Sequence, residues 1–195
     1  MATTADTTTS SERPLRADAR RNREKIICAA RTIVAEQGEA AQIDDVAKLA
    51  GVGVGTVYRH FPNKDALMGE LVRHNVMDCT GFARECAALE DPWEAFAGLV
   101  RRSCERASTD AAFRRTWQAA DPAAEAYAAD LKSDLHAAAG LIIERAHAAG
   151  ALREDFTGED MPGLMCGLGA AIEAMPERER WERLVEFALD GLRAR

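Results

Sequence analysis

From about residue 18 onward, nearly every stretch of this chain repeats its apolar residues at helical spacing, and runs of alternating Val, Ile, Thr and aromatics are absent. Ile26, Ile27, Ala30, Ile33 and Val34 form one stripe, which Gly38 stops. Ile43, Val46, Ala47 and Ala50 predict a short second helix closed by Gly51, and Val54, Val57 and Tyr58 or Phe61 suit a third of barely two turns. Asn63 is placed to cap a longer fourth helix carrying Leu67, Leu71 and Val72. Further on, D-P-W-E at 91–94 offers an Asp cap, a proline at the first helical position and a glutamate three residues later. D-P at 121–122 repeats that start and predicts a helix running to Gly150. T-G-E-D at 157–160 resembles a further cap, and Pro176 breaks the chain before a last amphipathic helix. The fold class is therefore all-α. The boundaries read as a disordered Thr-, Ala- and Ser-rich arm over 1–17, a three-helix head over 18–64 and a helical body over 65–195.

The balance of residues narrows the function classes. A chain of 195 residues is long enough to bury a core, and 47% hydrophobic with 29% charged residues reads as soluble and globular. There is no apolar run of membrane-spanning length and no apolar block of a secretory signal near the N-terminus, so a cytoplasmic protein without membrane contact is expected. Cys28, Cys79, Cys86, Cys104 and Cys166 are scattered, with no C-x-x-C pair, and read as reduced thiols rather than a zinc site or disulfide framework. The net charge of -7 argues mildly against a nucleic-acid partner. It is unevenly spread: residues 1–64 carry 10 Lys and Arg against 8 Asp and Glu, and the remainder 15 against 24. A slightly basic head on an acidic body is the pattern expected if only the head meets phosphate.

The run GVGVGT at 51–56 has two readings, a phosphate-cradling loop or the turn between two helices. A nucleotide loop aims backbone N–H groups at phosphate from a strand-to-helix turn. Here the run follows the helical pattern IDDVAKLA, and no lysine follows its last glycine as a Walker motif requires. Two short helices around a glycine turn make a helix-turn-helix, whose second helix fits the major groove.

The strings I-x-x-A-A-R-x-I-V-A-E-Q-G, D-D-V-A-K-L-A-G-V and, at 55–67, G-T-V-Y-R-H-F-P-N-K-D-A-L together resemble the tetracycline-repressor (TetR) family of bacterial transcription regulators, from roughly Arg20 to Leu71. Beyond Leu71 the likeness is architectural. The resemblance implies a homodimer, a double-stranded, near-palindromic DNA operator, and an unknown small-molecule effector bound in the body. It implies a repressor released by that ligand, needing no metal or cofactor and having no catalytic residues.

Carried onto this sequence, the family's DNA contacts fall on Thr56, Tyr58 and His60 of the recognition helix, which opens with Val54 and Gly55, and on Lys64 as a backbone-phosphate contact. Arg59 has the reach for guanine or phosphate. Gln42 stands where many members have Thr, and its amide suits phosphate. Arg13, Arg16, Arg20 and Arg21 add salt-dependent affinity. Two departures are Gly53, where a serine commonly caps the recognition helix, and Val54, where a polar or basic residue is common. Each residue also has a plainer role: Tyr58 suits a half-buried aromatic, His60 a surface histidine, and Arg13 and Arg16 a solvated tail.

Two other function classes compete, an all-helical nucleotide-binding enzyme and an adaptor without DNA binding. The enzyme lacks a convergent set of acids, bases or ligands. His136 and His147 share a helix face but lie ~16 Å apart along it. His74 and Asp78 sit one turn apart, and Cys79 and Cys86 share a face, readable as a solvated pair and as core packing. For the effector, Phe82, Trp93, Phe96, Phe113, Trp117, Tyr127 and Met165 supply an apolar and aromatic lining, or else simply fill the core. For the dimer, Gly163, Gly167, Ala170 and Ala171 permit close helix approach, and Trp181, Leu184, Val185, Ala188 and Leu192 continue an apolar stripe. The alternative is that this stripe packs inward on Leu141 and Ile142 of the long helix, with no dimer at all.

Overall fold

The computed structural model describes residues 12–119 and 122–194. Their regular elements are helical: α1 (Glu12–Gln37), α2 (Ile43–Ala50), α3 (Val54–His60), α4 (Lys64–Ala87), α5 (Pro92–Thr109), α6 (Ala111–Ala119), α7 (Pro122–Ala126), α8 (Ala129–Ala148), α9 (Asp160–Ala174) and α10 (Arg178–Leu192). A single 3-10 turn, Gly38–Ala40, links α1 to α2. The one extended pairing among the described residues is an isolated antiparallel bridge between Leu152 and Arg193.

The helix ends follow local chemistry. Asn63 accepts the Ala66 N–H at 2.7 Å, and Asp91 accepts those of Trp93 and Glu94 at 2.8 and 3.1 Å, ahead of Pro92. At 157–160 the cap runs the other way: the Thr157 N–H and hydroxyl both donate to the Asp160 carboxylate, at 2.7 and 2.9 Å. Gly51 closes α2 with φ 67°, a left-handed turn that a side chain would strain.

Two expectations need correction. Helix α1 begins at Glu12, so residues 12–17 are helical rather than part of a disordered arm; residues 1–11 lie outside the described residues. The helix expected from Pro122 to Gly150 is broken at Tyr127 and Ala128. Ala128 is buried there against Val72 and Val76 of α4, and Arg73 donates to the Tyr127 carbonyl at 2.9 Å and to Asp130 at 2.6 Å. Tertiary packing, not a glycine or proline, makes the break.

Two main cores result. The head core joins α1, α2, α3 and the start of α4 around Ile26, Val57 and Leu71. The body core gathers α5, α8, α9, α10 and the later turns of α4 around Phe96, Ile142, Val185 and Leu189. Helix α4 crosses between them, with Leu67 and Leu71 in the first and Cys79, Ala83 and Cys86 in the second. Helix α6 also belongs to both: Ala112, 4% exposed, is packed in the head core, and its neighbour Phe113 in the body core.

Candidate nucleic-acid interface and body cavity

Helix α3 is held from beneath by Val57, which is 0% exposed, and by Phe61 just past its end. The Phe61 ring is covered in turn by the Arg23 guanidinium, 5.3 Å from its centroid. With Val57 inward, the helical repeat turns Val54, Gly55, Tyr58 and Arg59 outward, and all four are exposed, Tyr58 at 49%. Thr56 and His60 are part-buried at the flanks. Gly53 is the extended N-cap of α3 and supplies no side-chain cap, so the first N–H groups of this helix are left for solvent or a ligand.

Several of the polar side chains expected at DNA already have protein partners. Lys64 donates to the Glu39 carbonyl at 2.7 Å, and the Gln42 amide donates to the Ala40 carbonyl at 2.9 Å. Arg21 pairs with Asp18, and Arg20 lies 3.6 Å from Glu24 on the same helix. The side chains of Arg13 and Arg16 lie outside the described residues.

The body contains a cavity of about 940 Å³ between α4, α5, α6, α8 and the start of α9. Val76, Leu99, Leu135, Ile143 and Met161 give it an apolar wall, interrupted by Asn75, Ser103 and Thr116. Lys132, His136 and Glu159 stand at its less buried edge. Cys79 and Cys166 also line it. Burial pushes the Cys79 thiol up to about 12, with Asp78 adding to the effect and Arg106 opposing it, so the thiol stays protonated at neutral pH. Cys104 is pushed up to about 12 by burial as well.

Residues 26–71 match the family model for the bacterial regulatory proteins of the tetR family, and residues 91–194 match the C-terminal domain of SbtR-like transcriptional regulators. The chain belongs to the TetR family. Among solved structures, a TetR transcription regulatory protein from Mycobacterium vanbaalenii is 32% identical, with 93% of this chain and 100% of that one covered and a TM-score of 0.57. A TetR regulator from Streptomyces coelicolor is 29% identical over 88% of this chain and 98% of that one, with a TM-score of 0.59. A tetR-family protein from Shewanella sp. PV-4 shares the fold at a TM-score of 0.70 and 17% identity, over 89% and 99% of the two chains. An HTH-type transcriptional regulator of Staphylococcus aureus is 42% identical over 60 residues, a match spanning 29% of this chain and 31% of that relative.

In this TetR-family body the described residues of the expected aromatic lining divide among core, surface and cavity wall. Trp93 and Phe96 stack at 5.8 Å, Phe96 meets Phe156 edge-on at 5.5 Å, and Phe82 lies beneath the Arg102 guanidinium. Tyr127 is exposed on the α7–α8 turn, and the Trp117 side chain lies outside the described residues. Met165 lines the large cavity, and Phe113 with Met165 lines a small adjoining one. The polar wall residues Asn75, Ser103 and Thr116 went unnoticed in the sequence, because single polar residues in amphipathic helices look like ordinary surface positions.

The α10 stripe also points inward. Trp181 and Val185 are buried in the body core, and Leu184, Ala188 and Leu192 pack against it, so this stripe covers the protomer's own core. The stripe lies chiefly on α5 and α9 rather than on α8; of the two α8 residues named for it, Ile142 is buried in the same core and Leu141 is exposed. The outward apolar residue of α10 is Phe187, 62% exposed. On α9, Gly163, Gly167 and Ala170 are exposed and Ala171 part-buried; a Cβ added at either glycine meets nothing within 4 Å.

The pairs weighed as ion sites have other partners. His74 lies 3.4 Å from Glu70, Asp78 binds Arg106 at 3.2 Å, and His147 Nε2 is 3.1 Å from the Arg153 carbonyl. Among the described residues there is no group of three or more His, Cys, Asp or Glu placed to hold a metal, and no helix is long and apolar enough to cross a membrane.

Proposed function

We propose that this protein is a dimeric, sequence-specific DNA-binding repressor of the cytoplasm, released from a near-palindromic operator by a small, largely apolar molecule held in the body cavity. The observation that carries the reading is the outer face of α3, where Val54, Gly55, Tyr58 and Arg59 are exposed over a helix fixed from beneath by Val57 and Phe61. A short helix anchored on one face and bare on the other has the dimensions to enter the major groove. Thr56 and His60 flank that face. Gln42 and Lys64 reach phosphate by exchanging the carbonyls of Ala40 and Glu39 for it. Val54 offers a methyl-sized apolar contact, as a thymine methyl requires.

Release follows from the way two helices join the head to the cavity. Helix α4 carries Leu71 in the head core and Asn75 and Val76 on the cavity wall. Helix α6 carries Ala112 in the head core and, one turn later, Thr116 on the same wall. A molecule that fits the cavity better in one arrangement of these helices shifts the position of the head by its differential affinity for the two. The cavity volume is that of a site for a small molecule. Pairing of two copies through the small-residue face of α9, with Phe187 of α10 beside it, sets two α3 helices into successive grooves ~34–36 Å apart.

Selection of bound duplexes from a random library tests the reading. The expected product is a two-fold site with half-sites one helical turn apart; recovery of no common sequence contradicts it. The glycine run offers no competing nucleotide loop, since it joins α2 to α3 without a preceding strand.

A further inference from the structure

The described residues include four buried polar side chains, Asn75, Thr80, Ser103 and Thr116. Thr80 is accounted for by its own helix, donating to the Val76 carbonyl at 2.7 Å. The other three come from three different helices, α4, α5 and α6, and all three line the large cavity. Asn75 has only a long contact, 3.4 Å to the Phe113 carbonyl. Thr116, 7% exposed, has a buried Oγ1 with no hydrogen-bond partner. A threonine inside a helix ordinarily returns its hydroxyl to the carbonyl four residues back; leaving it unpaired in the interior is costly. Recognition of a polar atom on a ligand accounts for three helices each turning a polar side chain into the same cavity, and for the unpaired Thr116 hydroxyl.

The chemistry of that polar atom follows from what surrounds it. No charged side chain lies among the buried residues of the wall; the charged liners Lys132 and Glu159, and His136, are at part-buried or exposed positions. A carboxylate or ammonium placed against Asn75, Ser103 and Thr116 meets no countercharge on the buried wall of the large cavity, which disfavours it; Arg114, whose buried Nε is unpaired, lines only the small adjoining cavity. A carbonyl or alcohol oxygen loses far less hydration and takes hydrogen bonds from hydroxyl and amide groups. We infer that the cavity selects an apolar molecule bearing an uncharged oxygen, a ketone, ester or alcohol, and reads that oxygen with Thr116, Ser103 and Asn75. The inference rests on the cavity being the effector site but not on the protein binding DNA.

Three probes on one skeleton test it: 2-acetylnaphthalene, 2-ethylnaphthalene and 2-naphthoate, titrated calorimetrically into the full-length protein without DNA. The wild type is expected to bind the ketone about five- to tenfold more tightly than the ethyl compound, and the naphthoate most weakly. Thr116→Val combined with Ser103→Ala, which leaves only Asn75 to meet the oxygen, should reduce the ketone's advantage over the ethyl compound to about twofold or less. Thr116→Ser, which keeps the hydroxyl, should retain the preference and guards against a packing defect in the double variant. Equal binding of ketone and ethyl compound by the wild type, a preference that stays above about twofold in the double variant, tighter binding of the naphthoate, or binding of none of the three overturns the inference. A protein that shows the ketone preference but binds no duplex supports it and contradicts only the regulatory reading.

Discussion

Arg31 of α1 forms an ion pair with Asp110, the residue between α5 and α6, and so fastens the head to the body. Asp110 is the hub of a larger set. It also accepts Arg106 at 2.6 Å and caps α6 by accepting the Phe113 N–H at 2.9 Å, while Arg106 reaches on to Asp78 of α4 at 3.2 Å. Four helices converge here: α1 of the head, and α4, α5 and α6, three of those that wall the cavity.

Asp110→Asn keeps the cap but removes the charge that holds Arg31 and Arg106. Urea unfolding should show a loss on the order of 1–3 kcal/mol, the usual cost of breaking a part-buried charged hydrogen bond. The pH dependence has a definite sign. Burial raises the Asp110 carboxyl, but the Phe113 N–H, Arg106 and Arg31 outweigh it, and the net shift is downward. A carboxyl lowered by folding stabilises the native state above its unfolded pKa, and the contribution disappears as pH falls through the folded value. The wild type should therefore lose stability in acid, from the ordinary carboxylate range downward, by an increment that the Asn variant lacks. Parallel acid profiles of the two proteins would contradict the assignment.

Gly69 of α4 is a glycine in mid-helix for a packing reason. A Cβ built on it would lie 2.5 Å from Tyr127 Cβ and 2.7 Å from Cγ, atoms that cannot swing away without moving the α7–α8 turn. Gly69→Ala should cost about 1–3 kcal/mol by overpacking, although alanine favours the helix by about 1 kcal/mol. Tyr127→Gly should restore part of that loss and Tyr127→Ala much less, because alanine keeps the Cβ. A stabilised Gly69→Ala protein would falsify the close approach.

Much of this architecture is legible in the sequence because the signals are local. The Asn63 and Asp91 caps, the Gly51 turn and the inward Val57 follow from residues within one or two turns. The phase of so short a helix as α3 does not: the apolar spacing admits Val54 and Tyr58 to the buried stripe, and both are exposed. The break at Tyr127 and Ala128 is not local: it depends on Val72, Val76 and Arg73, more than fifty residues earlier in the chain. The α10 stripe was readable as apolar, but a stripe does not say whether it covers its own core or a partner's. Aromatic residues misled for a related reason, since Trp93 and Phe96 fill a core as readily as they line a cavity. The cavity itself was illegible, because it is the space left between five helices rather than a property of any one.

Dimerisation is testable on a residue that leaves the protomer's interior alone. Gly167 is exposed on α9 with open space around it, so Gly167→Glu should fold with at most about 1 kcal/mol lost and yet prevent close helix approach. Sedimentation at micromolar concentration should find a wild-type dimer and a variant monomer with unchanged helical content. A variant that sediments as the wild type does would place the interface elsewhere. Phe187→Ser is the companion change, expected to weaken the dimer without emptying the core.

If the exposed face of α3 reads duplex DNA, fluorescence anisotropy on the selected duplex will register the loss of its side chains. Wild-type protein, Tyr58→Ala and Arg59→Ala are titrated at two salt concentrations, with thermal unfolding run on the same samples. Both side chains are exposed, so both variants should unfold as the wild type does while binding is weakened by about 1–3 kcal/mol each. If Arg59 meets phosphate rather than a base, its variant should also show a salt dependence shallower by about one counterion. Equal affinity of all three proteins at both salt concentrations, with folding intact, would contradict the assignment of α3 as the reading helix.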